Sequence, residues 1–234
     1  ENDDTSEVDS VNHYYLSTPF DISTATLTSS TTLTNIDKPH AIHFKSDGKV
    51  MYVVDNGSLT IEQYNLTTAW DTSTLVHDDN FAISDENQLR SLAFKYDGTK
   101  MYVVGEGTGA DTTDDDIHEY VLSTPYDTST ATFSVGIDSA AGTAGTTRQI
   151  RFNTDGSRMF ISMRSGTSPT HAKIYQYELS VNFSISSATY NGTFFSAANE
   201  ITKVFLSFDL SHDGKMLYVT DGQLGGTSTE SVYQ

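Results

Sequence analysis

The ten residues SDGKVMYVVD at 46–55 return as YDGTKMYVVG at 96–105, TDGSRMFISM at 154–163 and HDGKMLYVTD at 212–221. Self-similarity at a period of about 40–60 residues means that like units stack on one another, because a single unit cannot bury its own apolar face. Three anchors keep phase through the chain. The Asp of an Asp-Gly pair stands at Asp47, Asp97, Asp155 and Asp213, in steps of 50, 58 and 58. A Tyr in an I-x-x-Y-x-L setting stands at Tyr14, Tyr64, Tyr120 and Tyr177. An Asp-x-Ser-Thr element follows as FDISTAT at 20–26, WDTSTLV at 70–76 and YDTSTAT at 126–132, with a degenerate FSISSAT at 183–189.

Between the anchors the apolar residues alternate with period two, which is the pattern of half-buried strands. In the best-kept unit the first strand runs over His40–Lys45, and Asp47-Gly48 turns the chain, because Gly supplies the positive φ that such a hairpin needs. The second strand is Val50–Asp55 and the third Thr60–Leu66. A fourth follows the Asp71-Thr72-Ser73-Thr74 turn, whose side chains bond their own backbone. Four short antiparallel strands per unit make a propeller blade, so the chain is all-β. Twelve Phe and thirteen Tyr supply the packing between sheets.

The run F-x-x-D-G-x-K-M-Y-V, followed by I-x-Q-Y-x-L-S-T-x-x-D-x-S-T-A, resembles the repeats of a broad β-propeller superfamily. That group includes the YVTN-type repeats of microbial surface proteins, lactonase-like propellers, and repeats of secreted and phage structural proteins. The resemblance spans residues 11–234 and rests on scaffold residues, so it implies a fold before it implies an activity.

Val11–Leu16 matches the third strand of the repeat, and the final SVYQ starts that same strand again, with Val232 in register with Ile61, Ile117 and Ile174. The reading favoured here is one domain over 11–234, preceded by a disordered acidic lead-in at 1–10. The domain is a ring of four blades in which N- and C-terminal strands share one blade and leave no open sheet edge. The alternative is a fragment of a larger propeller array, because both ends carry a copy of the third strand.

Charge excludes some partners. With 31 acidic and 13 basic residues the net charge is −18, a field that repels nucleic acid. No apolar run approaches the roughly 18 residues of a membrane span, so membrane insertion is not expected. The absence of Cys removes disulfides, thiolate metal sites and cysteine nucleophiles. No G-x-S-x-G elbow, phosphate loop or H-E-x-x-H is present.

The candidate residues fall into three groups. In register on the first strands, nearest a propeller's axis, stand His40, Arg90 and Arg148 at one position and His43, Arg151 and Asp209 at another. Arginines converging on a channel suit a carboxylate or phosphate, and a His with an Asp suits acid–base work. The blander reading is a set of side chains that satisfy one another. The insertion GEGTGADTTDDDI at 105–117 offers Glu106, Asp111, Asp114, Asp115 and Asp116 as oxygen ligands, making calcium the one cofactor the sequence suggests. Asn56, Asn65, Asn182 and Asn191 fit the N-glycosylation pattern.

The expected function is a non-enzymatic extracellular or virion-surface module, used for structural assembly or for binding a protein or glycan through its variable loops. A larger assembly fits the same reading. The alternative, implied by the lactonase-like resemblance, is a calcium-dependent hydrolase or a small-anion site at the central channel.

Overall fold

The computed structural model describes residues 9–19, 21–84, 86–107, 117–139, 146–164, 172–196, 204–211, 213–222 and 231–233. They form five antiparallel sheets. β1 (Ser10–Leu16) and β2 (Ala25–Thr32) make a two-stranded sheet. β3 (Pro39–Phe44), β4 (Val50–Asp55), β5 (Thr60–Leu66) and β6 (Leu75–Ala82) make a four-stranded one in sequence order. β7 (Glu86–Phe94), β8 (Lys100–Gly107), β9 (Ile117–Leu122) and β10 (Ala131–Ile137) repeat that meander. So do β11 (Thr146–Phe152), β12 (Arg158–Arg164), β13 (Ala172–Leu179) and β14 (Ala188–Ser196). The last sheet holds β15 (Val204–Leu210), β16 (Leu217–Gly222) and β17 (Ser231–Tyr233). The four-stranded meanders are propeller blades. The chain divides into two compact units, Asn2–Ile83 and Ser84–Gln234.

The structure gives each repeated residue a physical task. Gly48, Gly98 and Gly156 hold φ of 70°, 73° and 73° in the Asp-Gly turns. Over each lies an aromatic ring: a Cβ on Gly48 would sit 2.4 Å from Trp70, one on Gly98 2.1 Å from Tyr126, and one on Gly156 2.1 Å from Phe183. Those three aromatics are themselves left-handed, at φ 66°, 65° and 59°. A non-glycine residue there costs about 1–2 kcal/mol. Two contacts offset the cost. Each aromatic N–H donates to the glycine carbonyl, at 2.8 Å for Trp70, 3.0 Å for Tyr126 and 2.9 Å for Phe183. Each ring also packs on the Phe that ends the first strand, with centroids 5.4–5.6 Å apart. The aromatic before Asp-x-Ser-Thr is therefore a latch on the hairpin turn, and Trp70, although 50% exposed, is part of that packing.

The Asp that follows caps a single 3-10 turn. Asp71 Oδ1 accepts from the Ser73 amide at 3.0 Å and its hydroxyl at 2.6 Å, and Asp127 does the same with Ser129. In the degenerate copy, Ser184 makes no side-chain cap bond.

The middle strands are buried on both faces: Met51, Tyr52, Val53 and Val54 of β4, and Met101, Tyr102, Val103 and Val104 of β8, are fully inaccessible. In the first unit Met51, Val53, Tyr64 and Leu66 pack with Val11 and Leu33. In the second, Tyr102, Val104 and Ile117 pack with Ile150, Met159, Ile161 and Tyr177, joining one blade to the next. Polar ties cross the same seam. Tyr102 donates its hydroxyl hydrogen to the Phe183 carbonyl at 2.6 Å, and Lys100 Nζ donates there at 2.9 Å while pairing with Glu119 at 2.7 Å.

The blade shared by the two ends of the chain is corrected by the pairing. β1–β2 and β15–β16–β17 are separate sheets, and no sheet among the described residues is shared between them. The reason lies in β17, which takes the third-strand slot beside β16 with Thr220 opposite Val232. That slot can hold only one strand.

Candidate functional site

β7, β11 and β15 lie beside one another in the second unit, as the innermost strands of neighbouring blades do. Each carries a bulge at the same place. The pairing with the second strand slips between Leu89 and Ser91, between Thr147 and Gln149, and between Phe205 and Ser207. β3 slips likewise between Pro39 and Ala41. The extra residues are His40, Arg90, Arg148 and Leu206, so three of the four bulge residues carry a cationic or titratable side chain. A bulge takes its residue out of the ladder and re-aims the side chain, which is why bulges recur beside active sites.

Arg90 is 8% exposed, and its Nη2 donates to the side-chain oxygen of Gln88 two residues earlier. Arg148 is half-buried at the equivalent place on β11. At the second register position the ion pair is between neighbouring blades: Arg151 Nε lies 3.4 Å from Asp209 Oδ1. Burial lowers the Arg151 pKa, and the Asp209 carboxylate opposes that shift. Arg151 also donates from Nη1 to the Ile150 carbonyl at 2.9 Å. The Asp209 side chain is 70% exposed, so it meets solvent while it holds the guanidinium. Gln149, between the two arginines, accepts from the Phe208 amide at 2.7 Å and fixes β15 against β11.

Of the six residues that the sequence places on the first strands, Arg90 and Arg148 thus occupy matching bulges and Arg151 and Asp209 pair directly. His40 and His43 lie on β3, in the other compact unit, where His43 packs on Tyr52 with ring centroids 6.3 Å apart.

A buried pair close to this row was not legible in the sequence. Glu86, at the start of β7, is fully buried, and its Oε1 lies 3.6 Å from Nδ1 of His118, which is 3% exposed at the side chain. Glu86 fills the space above Gly105, where an added Cβ would lie 2.6 Å from Glu86 Oε2 and 2.3 Å from the Gln88 carbonyl. The repeat explains this placement. Gly105 stands where Asp55 stands in the blade before, and the Asp55 carboxylate accepts from the amides of Asp37, Lys38 and Gly57 at 3.1, 2.8 and 2.9 Å. In one blade the second strand brings the buried carboxylate, in the next the first strand does. The sequence signal was the Asp-to-Gly change at position 105 within an otherwise matching MYVV segment.

The calcium ligands expected at Asp111, Asp114, Asp115 and Asp116 lie outside the described residues, as does the side chain of Glu106. Most of the variable loops expected to bind partners lie there too. Among the described residues no group of three or more His, Asp or Glu is placed to hold a metal ion. No helix among them is long and apolar enough to cross a membrane. Of the glycosylation candidates, Asn65 and Asn191 are exposed and Asn56 is half-buried in the turn after β4. Asn182 donates from Nδ2 to the Asp155 carbonyl at 2.9 Å, so it braces an Asp-Gly turn.

A family model described as "Lactonase, 7-bladed beta-propeller" matches residues 22–226. No curated protein is significantly similar in sequence. Among solved structures, a putative 6-phosphogluconolactonase from Bacteroides fragilis superposes with a TM-score of 0.54 at 16% identity, covering 90% of this chain and 57% of its own. A protein from Lactobacillus plantarum gives 0.52 at 18% identity, over 84% and 54%. The hydrazine synthase of Kuenenia stuttgartiensis gives 0.52 at 14% identity, over 80% and 52%. Likeness at such identities is likeness of fold, and the chain spans little more than half the length of these structures. The family match overturns the expectation of a non-enzymatic surface or virion module. That expectation leaned on the lack of a catalytic motif. A propeller assembles its site from single residues on separate sheets, so no contiguous motif has to exist.

Proposed function

The chain belongs to the lactonase family of seven-bladed β-propellers, and from that membership we propose that it takes part in the hydrolysis of a small anionic lactone, bound beside the first strands of its blades. The match over residues 22–226 carries the reaction class. Support for an anionic substrate comes from the bulge residues Arg90 and Arg148 on adjacent strands, since guanidinium groups recognise carboxylate and phosphate in two-point fashion.

In the reaction, water adds to the lactone carbonyl and gives a tetrahedral oxyanion. The acyl C–O bond then breaks, the ring opens, and the proton from water ends on the departing ring oxygen. In our assignment Arg90 and Arg148 hold the anionic substituent. Asp209, the exposed carboxylate of the row, takes the proton from the attacking water, and Arg151 orients it. A guanidinium facing the carbonyl oxygen would also stabilise the oxyanion, a contribution that grows where water is excluded. Calcium, which the resemblance implies, has no fitting ligand cluster among the described residues, and no step is routed through it.

The test is hydrolysis of gluconolactone and its 6-phosphate by the purified chain, with and without EDTA. We expect Arg148→Met to raise KM for the phosphorylated lactone at least tenfold and to change the unsubstituted one far less. Equal effects on both substrates would refute the anion-holding role. No hydrolysis of either would refute the reaction class for this chain. Activity lost in EDTA and restored by calcium would return the metal to the site.

A further inference from the structure

The sequence holds two Asn-Gly pairs in nearly the same setting, Asn56-Gly57-Ser58 and Asn191-Gly192-Thr193. At such a pair the backbone nitrogen of the glycine can attack the asparagine carboxamide, because glycine puts no Cβ in the way. The fold treats the two pairs differently. Asn56 is half-buried in the turn after β4, and its amide donates to the Lys38 carbonyl at 2.9 Å. The Gly57 amide donates to Asp55 Oδ1 at 2.9 Å, and Asp55 is fully buried. Taking the proton from Gly57 would set an anionic nitrogen against a buried carboxylate, and like charges oppose that. Asn191, Gly192 and Thr193 are exposed on β14, the outermost strand of its sheet. Tyr190 pairs with Tyr177 and Phe194 with Tyr175, so these three residues stand opposite Gln176 alone, as a bulge. In the blades before, the bulge side chain reaches the third strand: Asp78 accepts from Gln63 at 2.8 Å, and Ser134 donates to Glu119 at 3.4 Å. Asn191 turns back on its own strand, where its Oδ1 accepts from the Thr193 amide at 3.0 Å.

We propose that Asn191 is a site of spontaneous deamidation in the folded chain and that Asp55 protects Asn56 from the same reaction. The Asn191–Thr193 bond closes a ring around the Gly192 peptide, which holds Asn191 Cγ beside the Gly192 nitrogen. The Thr193 N–H also points at the oxygen that gains negative charge when Cγ is attacked. The way in is open: Gly192 holds φ of +92°, and a Cβ built there meets nothing within 4 Å among the described residues. Solvent base takes the proton from the Gly192 nitrogen, whose electron pair forms a bond to Cγ. The Cγ–Nδ2 bond breaks, and ammonia leaves with a proton from water. Water then adds to one of the two carbonyls of the cyclic imide and opens it. The product is Asp at 191, or the isomer in which the main chain runs through the former side-chain carboxyl. Overall one water enters and one ammonia leaves, and nothing is oxidised or reduced. The isomer adds an atom to the backbone, and residues 191–193 take it where no pair of the β13–β14 ladder is broken. Because the reaction consumes the carboxamide, it also excludes a glycan at Asn191. The proposal is independent of the hydrolase reading, and its test involves no substrate.

The test uses the unmodified chain, so no variant has to fold. It is incubated in mildly alkaline buffer, once folded and once in urea concentrated enough to unfold it. Peptide mass mapping then follows the exchange of NH2 for OH at each asparagine with time. In the folded chain Asn191 should convert at least about tenfold faster than Asn56, a difference in barrier of about 1.4 kcal/mol or more. In urea the two should convert at nearly equal rates, because their neighbours in sequence are so alike. Equal rates in the folded chain, faster conversion at Asn56, or no conversion at either would overturn the proposal. A difference that survives in urea would overturn it too, since the cause would then lie in the local sequence and not in the bulge or in Asp55.

Discussion

Replacing Gly98 with alanine separates the two reasons for a glycine in the Asp-Gly turn, because Gly214 supplies the control. Both lie in the unit Ser84–Gln234, and both are left-handed, at φ +73° and +68°. Each replacement therefore carries the same backbone term, about 1–2 kcal/mol. Each also gains about 0.4–1 kcal/mol from a stiffer unfolded chain, which cancels in the comparison. The difference is a side chain: an added Cβ on Gly98 would lie 2.1 Å from Cδ2 of Tyr126, whereas one on Gly214 meets nothing within 4 Å among the described residues. The ring has to leave its place, and its contact with Phe94, at 5.5 Å between centroids, goes with it. An aromatic pair is worth about 0.5–1.5 kcal/mol and forced overpacking costs about 1–3 kcal/mol. Gly98→Ala should thus destabilise the unit by about 2–4 kcal/mol more than Gly214→Ala. Urea unfolding followed by far-UV circular dichroism measures the difference. Equal losses from the two variants would refute the latch and leave the positive φ as the sole reason for the glycine.

Three further outcomes follow from the same geometry. Lys100→Met removes the cation paired with the 3%-exposed Glu119 side chain and should cost about 2–4 kcal/mol, read from the urea midpoint, whereas Tyr102→Phe, which leaves Lys100 on the Phe183 carbonyl, should cost about 1 kcal/mol; the reverse ranking would count against the ion pair. Asp97 titrates at about 2 rather than 3.8, because burial pushes it up less than the Lys95 and Thr99 side chains and the Thr99 amide together pull it down. Asp47 is lowered first by the Lys49 amide, Asp155 first by the Ser157 hydroxyl and Asp213 first by the Ser211 hydroxyl. Carboxyls with depressed folded values stabilise the fold above about pH 4 and lose that contribution as the pH falls toward about 2, so the urea midpoint should hold from pH 7 to 5 and drop below about 4; a drop already under way at pH 6 would point to other groups. Finally, Glu86→Ala empties the space above Gly105, yet adding Gly105→Asp should not recover the lost stability, because its Cβ would still lie 2.3 Å from the Gln88 carbonyl; recovery in thermal unfolding would show that β7 can shift to take a side chain there.

The strands of the best-kept blade are legible in the sequence almost to the residue. Val50–Asp55 and Thr60–Leu66 are where alternation and the Asp-Gly turn put them, and the first strand differs only in running over Pro39–Phe44. Local chemistry suffices there: a glycine that tolerates φ of 70° and side chains that alternate across a pleat act within a few residues of themselves. The row of polar residues at Arg90, Arg148, Arg151 and Asp209 on the first strands was legible in the same way, through register between repeats.

What the repeat could not reveal is which groups meet across sheets. The latch between Trp70 and Gly48 joins residues more than twenty apart, and the same aromatic reads as simple packing until its ring is seen over the turn. Glu86 and His118 come together only because Gly105 leaves room, a fact of volume that no spacing encodes. The bulges that carry Arg90 and Arg148 are slips in pairing, visible only once both strands are in place. The sequence by itself determined the blade, because a blade is made of short-range turns and two-residue periodicity. The tertiary structure decided how blades lock, because that depends on side-chain volume and on contacts between residues far apart in the chain.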